Sequence, residues 1–137
     1  MQYAHFTVAY CCVLFAALLP IACACLAKGS SLGKPRKQGG FDNHEPRAWL
    51  GRLTDWRARA NAAQANSFEA LPFFIGAVVI AHQLGAPQTR VDALAVVFVT
   101  LRIVYIAMYV ADLATVRSAI WVLALATNIG ILFAGFH

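Results

Sequence analysis

Residues 6–27 read FTVAYCCVLFAALLPIACACLA, without one Asp, Glu, Lys or Arg. As an α-helix they would extend about 33 Å, enough to cross the hydrocarbon core of a bilayer. The residues before Phe6 carry no Lys or Arg, and the apolar stretch exceeds the roughly 7–15 residues of a secretory signal core, so it is expected to be a retained span. Pro20 would kink this helix, which lipid-embedded helices tolerate. All four cysteines, Cys11, Cys12, Cys23 and Cys25, fall inside this segment. Neighbours on one helix point apart, so disulfides are not expected, and Cys23 and Cys25 have no second ligand pair to build a metal site.

Working outward, 61% of the 137 residues are hydrophobic and only 12% charged. A soluble chain this short cannot bury so much apolar surface, so the expected class is an all-α membrane protein of one domain. The stretch KGSSLGKPRKQGGFDNHEP, residues 28–46, is too polar for lipid and reads as an exposed, mobile connector. From Arg47 onward the Ala-rich sequence, free of Gly and Pro between Thr54 and Leu71, predicts one long helix entering the membrane. GAPQTR then makes a turn, and two further apolar runs follow. The expected architecture is a four-transmembrane-helix bundle with spans at about 6–27, 58–84, 92–111 and 117–136.

The net charge of +5 is unevenly spread. Eight of the eleven basic residues lie between Lys28 and Arg59, whereas the loop between the second and third spans carries only Arg90. A short basic loop between apolar spans is a topology signal and not a nucleic-acid footprint. The reading therefore has no nucleic-acid partner, a lipid bilayer as surroundings, the basic loop cytoplasmic and both termini outside.

Polar side chains within lipid cost kilocalories unless paired or lining a cavity, so they carry the functional information. At 100° per residue Arg52, Asp55, Arg59, Asn66 and Glu69 fall on one face of the second helix. Arg102, Tyr105, Tyr109 and Asp112 share a face of the third at spacings of three and four. Matching depth on antiparallel helices brings Glu69 level with Arg102 near the midplane and Asn66 level with Tyr105. Tyr109, Arg59 and Arg117 would then ring the cytoplasmic mouth. Two readings fit: a buried Glu69–Arg102 pair with interhelical tyrosine hydrogen bonds, or a site for an anionic, flexible ligand. The four histidines form no metal-binding pattern, and Ser67 and Ser118 lack a histidine at useful spacing for a hydrolase triad. Trp49, Trp56 and Trp121 read as interfacial anchors.

Four short spans, a basic first loop and the run NSFEALP at residues 66–72, with Tyr105, Tyr109 and Arg117-Ser118, together resemble the MAPEG family, membrane-associated proteins in eicosanoid and glutathione metabolism. The resemblance covers essentially the whole chain. It implies a homotrimer that binds glutathione at each subunit interface as co-substrate, and an apolar small molecule arriving through lipid. By the same resemblance Asn66 and Glu69 hold the tripeptide, Tyr109 assists, and Arg117 polarises the thiol toward thiolate, the nucleophile of conjugation. The implied activity is a glutathione-dependent transferase or peroxidase, with non-catalytic lipid binding or scaffolding, also known in the family, as the alternative. Two departures stand out: Ala62 and Ala65 occupy positions where family members place arginines, the first of which grips a glutathione carboxylate. Loss of that bidentate grip is expected to weaken glutathione binding unless Arg59, Arg57 or Arg102 substitutes.

Overall fold

The computed structural model describes residues 5–136; the terminal His137 counted among the histidines lies outside the described residues. Among the described residues there are five α-helices and one 3-10 turn: α1 (Val8–Gly29), the turn Arg36–Gln38, α2 (Pro46–Gly51), α3 (Asp55–Gln83), α4 (Gln88–Val110) and α5 (Ala114–Leu132). Four of them, α1, α3, α4 and α5, are long and apolar enough to cross a membrane. The chain is an integral, multi-pass membrane protein.

α1 packs on α3 and α4, and α5 packs on the same pair from its other side. The helices approach closely because their contact faces are small: Ala9, Ala16, Ala77, Ala81, Ala95 and Ala124 are buried in the main core. Small residues let backbones come together where lipid offers no hydrophobic drive to do so. Stacked Phe74 and Phe98 rings, 4.2 Å between centroids, fill the space between α3 and α4. Leu14, Phe15, Ile103, Val122 and Leu123 remain exposed on the outer faces, as lipid-facing surface requires.

Side chains close the start of α1, and backbone hydrogen bonds close the end of α4. Thr7 caps α1 by accepting from the Tyr10 N–H at 3.2 Å, and Asp92 on α4 accepts from the Ala9 N–H at 2.8 Å. His82 bonds the Val78 carbonyl at 2.7 Å, contacts the Thr7 hydroxyl at 3.2 Å and stacks on Tyr10. α4 ends in a Schellman turn, in which the Leu113 N–H donates to Met108 O and the Asp112 N–H to Tyr109 O. Asp112 takes the left-handed position, at φ 61°, which short polar side chains adopt more readily than others. Three residues thus suffice to reverse the chain between α4 and α5.

The helix ends differ from the sequence reading at two places. The helix expected from Arg47 is interrupted: α2 stops at Gly51, Thr54 is extended, and α3 begins at Asp55. Arg52 therefore does not share a face with Asn66. α5 ends at Leu132, and beyond it Gly135 packs so tightly on the α3–α4 turn that a Cβ there would stand 2.8 Å from Leu84 Cβ.

The basic connector is folded and not a bare tether. Phe41 and the buried Trp49 meet edge to face, 5.2 Å between centroids, and Lys28 lies over the Phe41 ring. Trp49 is thereby the centre of a small loop core and not a membrane anchor. Arg36 pairs with Asp42. The Asp42 carboxyl is held below the usual carboxylate range, first by the His44 N–H it accepts from and then by the Arg36 charge.

Candidate functional site

The polar groups of α3 and α4 meet as a chain of hydrogen bonds. Arg102 is 3% exposed; its Nη2 donates to Asn66 Oδ1 at 2.8 Å and, more weakly, to Ser67 Oγ at 3.5 Å. Its guanidinium also lies 4.4 Å from the Tyr105 ring centroid. Asn66 Nδ2 in turn donates to Glu69 Oε2 at 3.3 Å. Glu69 is therefore coupled to Arg102 through the Asn66 amide, and the two form no direct ion pair. The reason is position: Asn66 and the buried Ser67 face α4, whereas Glu69 stands on the exposed edge of α3.

Toward the loop end, the Tyr105 and Tyr109 rings meet edge to face at 5.7 Å. Arg117, carried back by the Schellman turn, lies 4.2 Å from the Tyr109 ring centroid. A cation over an aromatic face is held in place without losing its charge, so it remains available to an anion. Asn66, Tyr105, Tyr109, Arg117, Ser118 and Trp121 line one cavity of about 430 Å³. A smaller and more apolar cavity of about 170 Å³ adjoins it, lined by Asn66, Glu69, Phe73, Phe98, Arg102, Trp121 and Asn128 among others. Asn66 and Trp121 belong to both walls, so the two spaces are neighbours.

Of the residues singled out in the sequence, Asn66, Glu69, Arg102, Tyr105, Tyr109 and Arg117 line these two cavities. Arg59 lines neither. Its Nε donates to the Val110 carbonyl at 3.0 Å, one of the last-turn acceptors that a helix C-terminus leaves without an internal partner. It braces α3 against the end of α4. Asp112 serves the turn and Trp121 forms cavity wall, which an anchoring role alone does not describe. The sequence reading passed over Phe73, Phe98 and the buried Asn128, whose Oδ1 has no hydrogen-bond partner among the described residues. Arg117, Trp121 and Asn128 are spaced by four and seven, one face of a helix, and that spacing was the available signal. Among the described residues no His, Cys, Asp and Glu cluster suited to a metal ion occurs.

The sequence model described as MAPEG family matches residues 8–137. The chain belongs to the MAPEG family. Neither a curated protein nor a solved structure gives a significant match. In this MAPEG chain Ala62 and Ala65 place no guanidinium on α3, and Arg59 lines neither cavity. Arg117 and the tethered Arg102 are the cations at the cavity walls.

Proposed function

We propose that this protein is a glutathione-dependent transferase or peroxidase acting on lipophilic electrophiles. It works as a homotrimer, with the basic loop cytoplasmic and the termini on the other side. The observation that carries the reading is the junction of a polar cavity holding Arg117 and two phenols with an apolar slot walled by Phe73, Phe98 and Trp121. A polar peptide thiol and an apolar acceptor need such neighbours.

In this reading the Asn66 amide donates hydrogen bonds to the tripeptide and the Glu69 carboxylate accepts them from it, Tyr105 and Tyr109 form its wall, and Arg102 fixes the Asn66 amide. Arg117 stabilises the thiolate, whose nucleophilicity the reaction uses, by placing a positive charge beside the sulfur. The sulfur then forms a bond to the electrophile, and the leaving group departs with its electron pair. A second reading, non-catalytic lipid binding, is favoured by one observation: Arg59 is engaged at Val110 while Ala62 and Ala65 offer no guanidinium, so carboxylate recognition is thin.

Ultraviolet thiolate absorbance, followed as glutathione is titrated into the detergent-solubilised protein, separates the two. A saturable signal is expected. Arg117→Ala should fold nearly as the parent does, because water reaches the membrane edge, while thiolate formation and turnover drop about tenfold or more. Parent-like turnover by that variant would remove Arg117 from the mechanism, and no thiolate signal from the parent would leave the lipid-binding reading.

A further inference from the structure

A third cavity, larger than either of those at the candidate site, lies in the folded connector. It measures about 550 Å³ and shares no lining residue with the two cavities between α3, α4 and α5. Its walls carry four cations, Lys34, Arg36, Arg52 and Arg57, against one carboxylate, Asp42. Arg36 is engaged by Asp42 and Arg57 by Asp55. Lys34 and Arg52 have no carboxylate partner among the described residues. Like charges gathered around one concave space repel, and an anion in that space offsets the repulsion.

The cavity is built into the backbone. Gly39 is left-handed at φ 82°, and Gly40 donates to Pro35 O at 3.1 Å. A Cβ on Gly40 would stand 1.9 Å from the Lys34 carbonyl oxygen, so glycine is required for the loop to fold back and present Lys34 to the cavity. On the other wall, the buried Ser31 hydroxyl takes a hydrogen bond from Arg57 Nη1 at 3.4 Å. We propose that this loop cavity is a binding site for a phosphate group, gripped by Lys34 and Arg52 and ringed by the already oriented guanidinia of Arg36 and Arg57.

Phosphate is the chemistry that matches. Guanidinium forks and a lysine point charge suit tetrahedral, multiply charged oxygen sets, and the volume falls within the range of small-molecule sites. Depth in the membrane indicates a source. Ser31 follows the end of α1 and Thr54 precedes the start of α3, and α1 is about as long as the hydrocarbon core is thick. The cavity therefore lies at the level of lipid headgroups, where anionic phospholipids draw basic residues. A free phosphate ester would present the same group from solution.

The experiment is a thermal-shift titration of the full-length, detergent-purified protein with three probes: short-chain phosphatidylglycerol, short-chain phosphatidylcholine and inorganic phosphate. Saturable stabilisation by phosphatidylglycerol, weaker with phosphatidylcholine and absent with inorganic phosphate, is expected and identifies a lipid headgroup. Stabilisation by inorganic phosphate as well supports the site with a soluble ligand. In either case Lys34→Gln/Arg52→Gln should weaken the midpoint about tenfold or more, while Arg90→Gln, at the other end of the bundle, leaves it unchanged. Should the double variant fail to fold, Lys34→Gln alone decides, since that side chain is exposed. The proposal is overturned if no probe stabilises saturably, if the Lys34 variant binds as the parent does, or if Arg90→Gln weakens binding equally.

Discussion

Asn66→Ala isolates what holds the buried guanidinium. Arg102 is 3% exposed and its shortest hydrogen bond is the 2.8 Å contact to Asn66 Oδ1. A hydrogen bond to a charged group contributes about 1.5–3 kcal/mol, whereas side-chain bonds between membrane helices average about 0.6 kcal/mol. The charge and burial of Arg102 place this contact near the upper scale, and Ser67 at 3.5 Å is at the limit of hydrogen-bond geometry and compensates little. A loss of about 2 kcal/mol is expected in the ligand-free protein. Reversible unfolding in mixed micelles of mild and denaturing detergent measures it. Arg102→Met removes the charge that needs a partner, so the second substitution, Asn66→Ala, should then cost much less, giving a coupling of about 1–2 kcal/mol between the two sites. A cycle that is additive, or an Asn66→Ala loss below about 0.5 kcal/mol, would refute the account of Arg102 as tethered chiefly by Asn66.

Three other outcomes are accessible. A reporter fused to the C-terminus should be active on the non-cytoplasmic side, as the basic connector directs; cytoplasmic activity from an intact fusion reverses the orientation. Chemical crosslinking in mild detergent should stop at three copies, and a population that remains monomeric at micromolar concentration counts against the trimer. Asp112→Val forces a β-branched residue into the left-handed position and should lower stability by about 1–2 kcal/mol in the same micelle assay, while Asp112→Gly stays near the parent.

The spans were legible because lipid imposes a simple demand: an uncharged run such as residues 6–27 has few alternatives to a crossing helix. The polar stripe of α4 was legible for the same reason, since Arg102, Tyr105 and Tyr109 recur at helical spacing in apolar sequence. Partner choice was not. Asn66 and Glu69 stand only about 60° apart around α3, so whether Arg102 meets one or the other depends on a helix rotation that spacing alone leaves open. Arg59 points to the Val110 carbonyl because α4 happens to end there, a fact of three-dimensional length matching. The internal contacts of the connector were not legible for another reason: Gly39, Gly40 and Pro35 are as common in mobile segments as in tight folds, and the burial of Trp49 against Phe41 is a tertiary fact.

The three-residue link between Val110 and Ala114 also acts as an angular setting. Because the link is that short, a residue added in the first turn of α5, between Ala114 and Arg117, would turn the rest of that helix by about 100° and advance it about 1.5 Å relative to the link. Arg117 would leave the Tyr109 ring, and Trp121 and Asn128, on the same face, would rotate out of the inner wall together. The hairpin can therefore absorb changes of side chain far more readily than changes of length. A designer wishing to move the cation around the cavity has in this turn a coarse dial, with one click per residue inserted.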